Sequence, residues 1–292
     1  MIAKPGKTPE DITSYRPISL LPILSKILEK ILLQRLTPII EKSKLIPSHQ
    51  FGFRKKHGTI KQAHRLVNKI HDDLESKHYC SAAFIDISQA FDKVWHTGLF
   101  YKIKRAFLTR LTLLKSYLTD RTFQVRYQEE YTTLYNIQSG VPQGSILGPI
   151  LYSIYTADMP ETEHTLTATY ADDTAILASH QNPITASTNL QHHLNKFETW
   201  LKQWRIEANE NKSTHVTSLK RKTYPSVTLN GQHIPQEETA KYLGLHLDRR
   251  LTWQKHIFTK SKQLGLKLHR MYWIIRRKSE LSLENKLIIY LF

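Results

Sequence analysis

Two acidic sites in the 292-residue chain have the residue types and setting for phosphoryl chemistry. Asp86 closes an apolar run in Phe84-Ile85-Asp86-Ile87-Ser88. Asp172 and Asp173 adjoin in Tyr170-Ala171-Asp172-Asp173, between two short apolar segments. Neighbouring carboxylates at the tips of half-buried strands repel one another, so either one keeps a proton or a cation neutralises them. Hard oxygen donors select Mg2+ or Mn2+. If the two strands are neighbours in one sheet, Asp86 and Asp172 can bridge two metals ~3.5–4 Å apart, the arrangement of two-metal phosphoryl transfer. Taken alone, the Asp-Asp pair reads first as an ordinary hairpin turn, because aspartate is common in turns.

The elements that must position these residues are legible in part. Residues 80–87 form an apolar run with the character of a buried strand, and 166–170 and 174–178 read as two strands folded back on Ala171-Asp172-Asp173. Helical spacing covers 23–40 and 59–77, and residues 91–107 are expected to be helical. Leu190, Leu194, Phe197, Leu201 and Trp204 mark an amphipathic helix, and 253–276 another. Gly140-Val141-Pro142-Gln143-Gly144-Ser145 is a loop whose Ser145 can cap an apolar helix over 146–157. Residues 121–135 read as a pair of strands, 242–247 as another strand, and Asn230-Gly231 predicts a hairpin turn. Strands and helices mix without strict alternation, which predicts an α+β fold.

Composition narrows the function classes. Hydrophobic residues are 40 % and aromatics 10 %, which excludes a disordered chain. No apolar run approaches the ~18 residues of a membrane span, and the N-terminus has no signal-peptide core. The single cysteine, Cys80, excludes a disulfide framework and cysteine zinc sites, and makes an intracellular location the default. The fifteen histidines form no metal-binding pattern, and His192-His193 is expected to be solvated. Net charge is +17, and residues 255–278 hold eight Lys or Arg and no acid. Such an excess points to a polyanion, most often nucleic acid, over a merely solvated basic surface.

Six boxes in order carry a resemblance. They are Tyr15-Arg16-Pro17-Ile18-Ser19-Leu20-Leu21, Gln50-Phe51-Gly52-Phe53-Arg54, Phe84 to Asp92, Ser139 to Ser145, Tyr170 to Asp173, and Tyr242-Leu243-Gly244. Together they resemble the reverse transcriptases of non-LTR retrotransposons, especially the jockey-like group, over nearly the whole chain. The resemblance implies an RNA-directed DNA polymerase with the right-hand polymerase fold. Residues 1–79 would be fingers (N-terminally incomplete), 80–247 the palm with an interleaved fingers segment, and 248–292 the start of a truncated thumb. It implies an RNA template, a DNA primer, deoxynucleoside triphosphates and two Mg2+ ions, with Mn2+ as the alternative.

The resemblance also implies roles. Asp86, Asp172 and Asp173 would hold metal, Asp173 as a secondary ligand, with the Ile87 backbone carbonyl as an extra one. Phe91 would lie under the incoming sugar, where a ring leaves no room for a 2′-OH; the lesser alternative, on periodicity alone, is the first core residue of a helix. Gln143 and Gly144 would sit beside the nucleotide. Arg16 would grip the triphosphate, Arg54 a template or nucleotide phosphate, and Lys4 and Lys7 would add charge or simply be solvated. Lys212, in Asn209-Glu210-Asn211-Lys212, would donate a proton to pyrophosphate, although the segment departs from the commoner Asn-Pro-x-Lys form. Tyr242, Leu243 and Gly244 would form the primer grip, or an edge strand with a packed tyrosine.

The rivals are a group II intron-type maturase and a catalytically silent or decayed fragment that only binds RNA. A viral RNA polymerase is disfavoured by Phe91 and by Ala171. The apolar tail 287–292 ends without a cap, which suggests a chain cut inside a domain.

Overall fold

The computed structural model describes residues 2–3, 8, 10, 14–106, 111–127, 129–218, 225–276 and 279–291. Lys4 and Lys7 lie outside the described residues, and so does the Arg16 side chain.

The chain opens with β1 (Ile2–Ala3) paired to β2 (Tyr15–Arg16), then α1 (Ile23–Lys42) and α2 (Thr59–Glu75). β3 (Tyr79–Ile87), α3 (His96–Ala106) and α4 (Leu111–Leu118) follow. Next come β4 (Thr122–Phe123), β5 (Arg126–Tyr127), β6 (Glu130–Tyr131) and β7 (Tyr135–Asn136), with β4 on β7 and β5 on β6. α5 (Gly148–Tyr155), β8 (Thr165–Tyr170), β9 (Asp173–His180), α6 (Pro183–Gln203) and β10 (Ala208–Thr217) complete the centre. Two hairpins, β11 (Thr228–Leu229) with β12 (Gln232–His233) and β13 (Thr239–Tyr242) with β14 (Leu245–Asp248), lead to α7 (Gln254–Ile275) and α8 (Leu283–Leu291).

An antiparallel sheet of order β10-β3-β9-β8 organises the molecule. Its central strand β3 is buried on both faces, which is why it reads as a continuous apolar run. Ala83 and Ile85 face a core built with α3, α5 and α6, including Leu99, Leu151 and Phe197. Ala82 and Phe84 face a second core with Leu66 and Ile70 of α2 and Tyr242 of β13. Period-two alternation thus distributes one strand between two cores. The α+β expectation holds.

Several local expectations are corrected. Residues 91–93 form a turn, and the helix expected from 91 begins at His96. The Phe91 carbonyl accepts from the Val141 N–H at 2.8 Å and the Val94 carbonyl from the Gly140 N–H at 2.8 Å, so these groups serve the neighbouring loop instead of a helix. Ser145 Oγ accepts from the Gly148 N–H at 2.7 Å, as a cap should, but α5 is shorter than residues 146–157. In place of one pair of strands over 121–135, the described residues there form two short pairs, β4 with β7 and β5 with β6, and β4 and β6 are exposed. Strand β10 was not anticipated. It is an edge strand with an irregularity between Asn209 and Thr214, and its polar sequence lacks an apolar run. His193 is buried, with Nδ1 2.7 Å from Thr165 Oγ1, not solvated.

Candidate active site

The register of the sheet brings the acidic residues together. Ile85 pairs with Thr174 and Tyr170 with Asp173, so one further step along β3 sets Asp86 opposite Asp173. On its other side Asp86 pairs with Asn209, and its N–H donates to Ser213 Oγ at 3.2 Å. Asp172 lies in the two-residue turn between β8 and β9. Asp173 keeps access to solvent, yet its surroundings strip much of its hydration. That loss, then the charges of Asp172 and Asp86, push its carboxyl up to about 6, against the pull of Lys241. Three carboxylates therefore share one strand end and act on each other electrostatically.

Beside them lies an aromatic floor. The Phe91 ring stacks on Tyr152 at 4.8 Å and meets Phe53 edge-on at 6.0 Å. Tyr152 is 1 % exposed, and among the described residues its hydroxyl has no hydrogen-bond partner. Burial, and next the Asp172 charge, push that phenol far above its ordinary range. The loop holding Gln143 closes the floor. Its Nε2 donates to Asp92 Oδ1 at 2.9 Å, and its carbonyl accepts from the Ser19 N–H at 2.8 Å. Gly144 has φ +95°, and a Cβ there would stand 3.2 Å from the Ser19 carbonyl oxygen. Glycine is the residue that takes this conformation without strain.

The remaining expected residues divide. Ile87 buries its side chain, so any ligand contact falls to its backbone. Arg54 Nη1 donates to the carbonyls of Pro47 at 3.1 Å and Gln50 at 3.2 Å, which ties the guanidinium to its own loop. Arg16 is placed through its backbone, paired with Ile2. Lys212 is exposed on β10, its N–H donating to Asn209 Oδ1 at 3.1 Å. Tyr242 is packed: its ring lies 5.7 Å from Phe84, and its hydroxyl donates to the Ala168 carbonyl at 3.0 Å. Leu243 and Gly244 form the tight turn between β13 and β14, both with positive φ.

Sequence reasoning passed over four contributors. Tyr152 was visible only as a phenol inside an apolar helix. Ser213 lies in the polar segment whose strand was missed. Lys241 precedes the expected Tyr242 directly. Glu29 is 2 % exposed on α1, and its carboxylate accepts from the Ile146 N–H at 2.5 Å and the Tyr117 hydroxyl at 2.7 Å. A lone glutamate in a run of leucine and isoleucine was the available signal.

The donor set fits a divalent cation that prefers hard oxygen: three aspartates, no histidine or thiol, and a carboxyl raised by its neighbours. The aspartates are spaced more widely than a compact three-ligand shell. Among the described residues only His71, Asp72 and Glu75, all exposed on α2, bring their ligand atoms within 4.8 Å of one another. Such exposed groups are common on helix surfaces without a bound ion.

The chain matches the family model described as "Reverse transcriptase (RNA-dependent DNA polymerase)" over residues 2–247. It is 45 % identical over 300 residues to the "RNA-directed DNA polymerase from mobile element jockey" of Drosophila melanogaster, covering 99 % of this chain and 33 % of that protein. It is 44 % identical over 297 residues to the "Probable RNA-directed DNA polymerase from transposon X-element" of the same organism, with the same coverages. The chain thus spans about a third of the length of the curated relatives it matches. Among solved structures, telomerase from Candida tropicalis with a telomeric RNA fragment aligns at TM-score 0.55 and 16 % identity. That alignment covers 92 % of this chain and 45 % of the telomerase. The truncated apo form aligns at TM-score 0.53 and 17 % identity, covering 78 % and 44 %. These likenesses concern the fold.

Proposed function

The chain belongs to the reverse transcriptase family, and on that premise we propose that it is the polymerase domain of a jockey-like non-LTR retrotransposon protein, copying RNA into DNA. The observation that carries the reading is that Asp172 and Asp86 both act electrostatically on Asp173, where the paired strands β3 and β9 end. The right-hand fold expected from the sequence assigns fingers to residues 1–79, palm with an interleaved fingers segment to 80–247, and thumb to 248–292. Among the described residues no helix is long and apolar enough to cross a membrane.

The reaction is attack of a primer 3′-OH on the α-phosphorus of a deoxynucleoside triphosphate, with pyrophosphate leaving in line. Reverse transcriptases depend on divalent metal, and here two Mg2+ ions held by Asp86 and Asp172 would lower the pKa of the attacking hydroxyl and stabilise charge on the leaving oxygens. Asp173 adds negative potential and a secondary oxygen ligand, and the Ile87 carbonyl an extra one. Phe91, backed by Tyr152 and Phe53, presents a rigid ring under the sugar and excludes a 2′-OH. Gln143 and Gly144 form the wall against the incoming base. Arg16 and Arg54 attract the triphosphate and template phosphates, and Lys212 supplies a proton to pyrophosphate. The turn at Leu243 and Gly244 guides the primer, with Tyr242 as its buried anchor.

Primer extension on an RNA template with Mg2+ tests the reading. Wild type is expected to extend with deoxynucleotides and not with ribonucleotides. Asp172→Ala should lower the rate by about 1,000-fold or more while RNA binding persists. Salt-sensitive RNA binding with no extension by wild type would instead support an RNA-binding remnant.

A further inference from the structure

We propose that Gln50 is a positioning residue for the catalytic carboxylates, its side-chain amide clamping the backbone of Ala171 in the conformation that sets Asp172. The proposal rests on the polymerase reading of that site. Ala171 is the first residue of the two-residue turn between β8 and β9, and it has φ +57°. Turns with positive φ at that position ordinarily take glycine, asparagine or aspartate. A side chain there persists only where the surroundings over-determine it.

Gln50 supplies that determination. It is 3 % exposed, and its Oε1 accepts from the Ala171 N–H at 3.0 Å. Its Nε2 donates to the Ala171 carbonyl at 3.2 Å. One primary amide therefore satisfies both backbone groups of the strained residue, as a neighbouring strand would. The clamp is itself held. Oε1 also accepts from the Gly52 N–H at 2.7 Å. The Phe51 N–H donates to the Thr169 carbonyl at 2.9 Å, and the Thr169 N–H to the His49 carbonyl at 3.1 Å. Buried Gln62 Nε2 donates to the same two carbonyls, His49 at 2.9 Å and Thr169 at 3.0 Å. Segment 49–52 thus lines the open edge of β8. The approach tolerates no side chain at position 52, where a Cβ would stand 2.4 Å from the Ala171 nitrogen.

A double-variant experiment on the full chain separates positioning from packing. Gln50→Met keeps the volume and removes both hydrogen-bonding functions. It is expected to weaken Mn2+ binding to the metal-free protein about tenfold, the scale set by losing net hydrogen bonds. It should lower kcat for extension by a similar factor, with KM for the nucleotide within about threefold. Adding Ala171→Gly should restore Mn2+ affinity to within about threefold, because glycine adopts positive φ without a clamp. If Gln50→Met does not fold, Gln50→Leu likewise removes both hydrogen-bonding functions without adding charge beside the carboxylates, and the same pattern is expected. Unchanged Mn2+ affinity, or no restoration by Ala171→Gly, overturns the proposal. Mn2+ binding needs no turnover. A wild-type chain that binds Mn2+ but extends no primer contradicts the polymerase reading and leaves the clamp to be judged on affinity alone.

Discussion

A carboxyl whose pKa is raised by folding binds its proton more tightly in the native state than in the unfolded one. For Asp173 the shift runs from 3.8 to about 6. Its contribution to stability is fully present below 3.8 and is lost as pH rises through about 6. At neutral pH the charge on Asp173 therefore costs stability, and on the proposed reading a bound divalent cation would offset it. Asp173→Asn is expected to raise the melting temperature at pH 7.5 in chelator. The advantage should shrink as pH falls through about 6 and level off below 3.8, in melts recorded across that range. An advantage independent of pH would contradict the assignment. Phe91 makes a separate prediction. The Phe91 ring contacts Tyr152 and Phe53, and on the proposed polymerase reading Phe91→Ala would open space beneath the sugar. Ribonucleotide incorporation relative to deoxynucleotide should rise by about 10–100-fold in single-nucleotide kinetics, the size of a steric discrimination.

At the scale of elements, α6 is the prop behind the site. It packs on β3 and β9, and Phe197 on its inner face is fully buried. Phe197→Ala should destabilise the protein by about 3–5 kcal/mol, read as a lower urea midpoint with an unchanged slope. The helix was legible because its apolar residues step by four and three. Strand β3 was legible because burial on both faces demands an unbroken apolar run. Strand β10 was not, because an edge strand can be polar and carries its meaning in its partner. The turn at 91–93 was also hidden: residues after Phe91 have helical character, but their carbonyls are taken by a loop some fifty residues later.

For the whole molecule the charge of +17 is the dominant electrostatic fact. Five lysines and arginines with no acid among them lie on α7, which buries none of its side chains. Near its start, loss of hydration and then His256, Lys241, Lys255 and Lys260 hold His246 below its usual pKa, so a positive field runs from β13 onto the helix. Replacing Lys255, Lys260, Lys262 and Lys267 by Gln should weaken RNA–DNA duplex binding. The salt dependence, log K against log salt, should flatten by about 0.7–0.9 for each phosphate that is no longer neutralised. An unchanged slope would place the nucleic acid elsewhere.

Local periodicity determined most of the elements, and six ordered boxes carried the resemblance to reverse transcriptases that the family match bears out. Both are properties of side chains and their immediate neighbours. Tertiary structure alone decided what holds them. Strand register set Asp86 against Asp173, packing put Tyr152 beneath Phe91, and a buried amide from a distant loop fastened Ala171. Those partners are separated by tens of residues, and local sequence carries no signal for contacts that only folding creates.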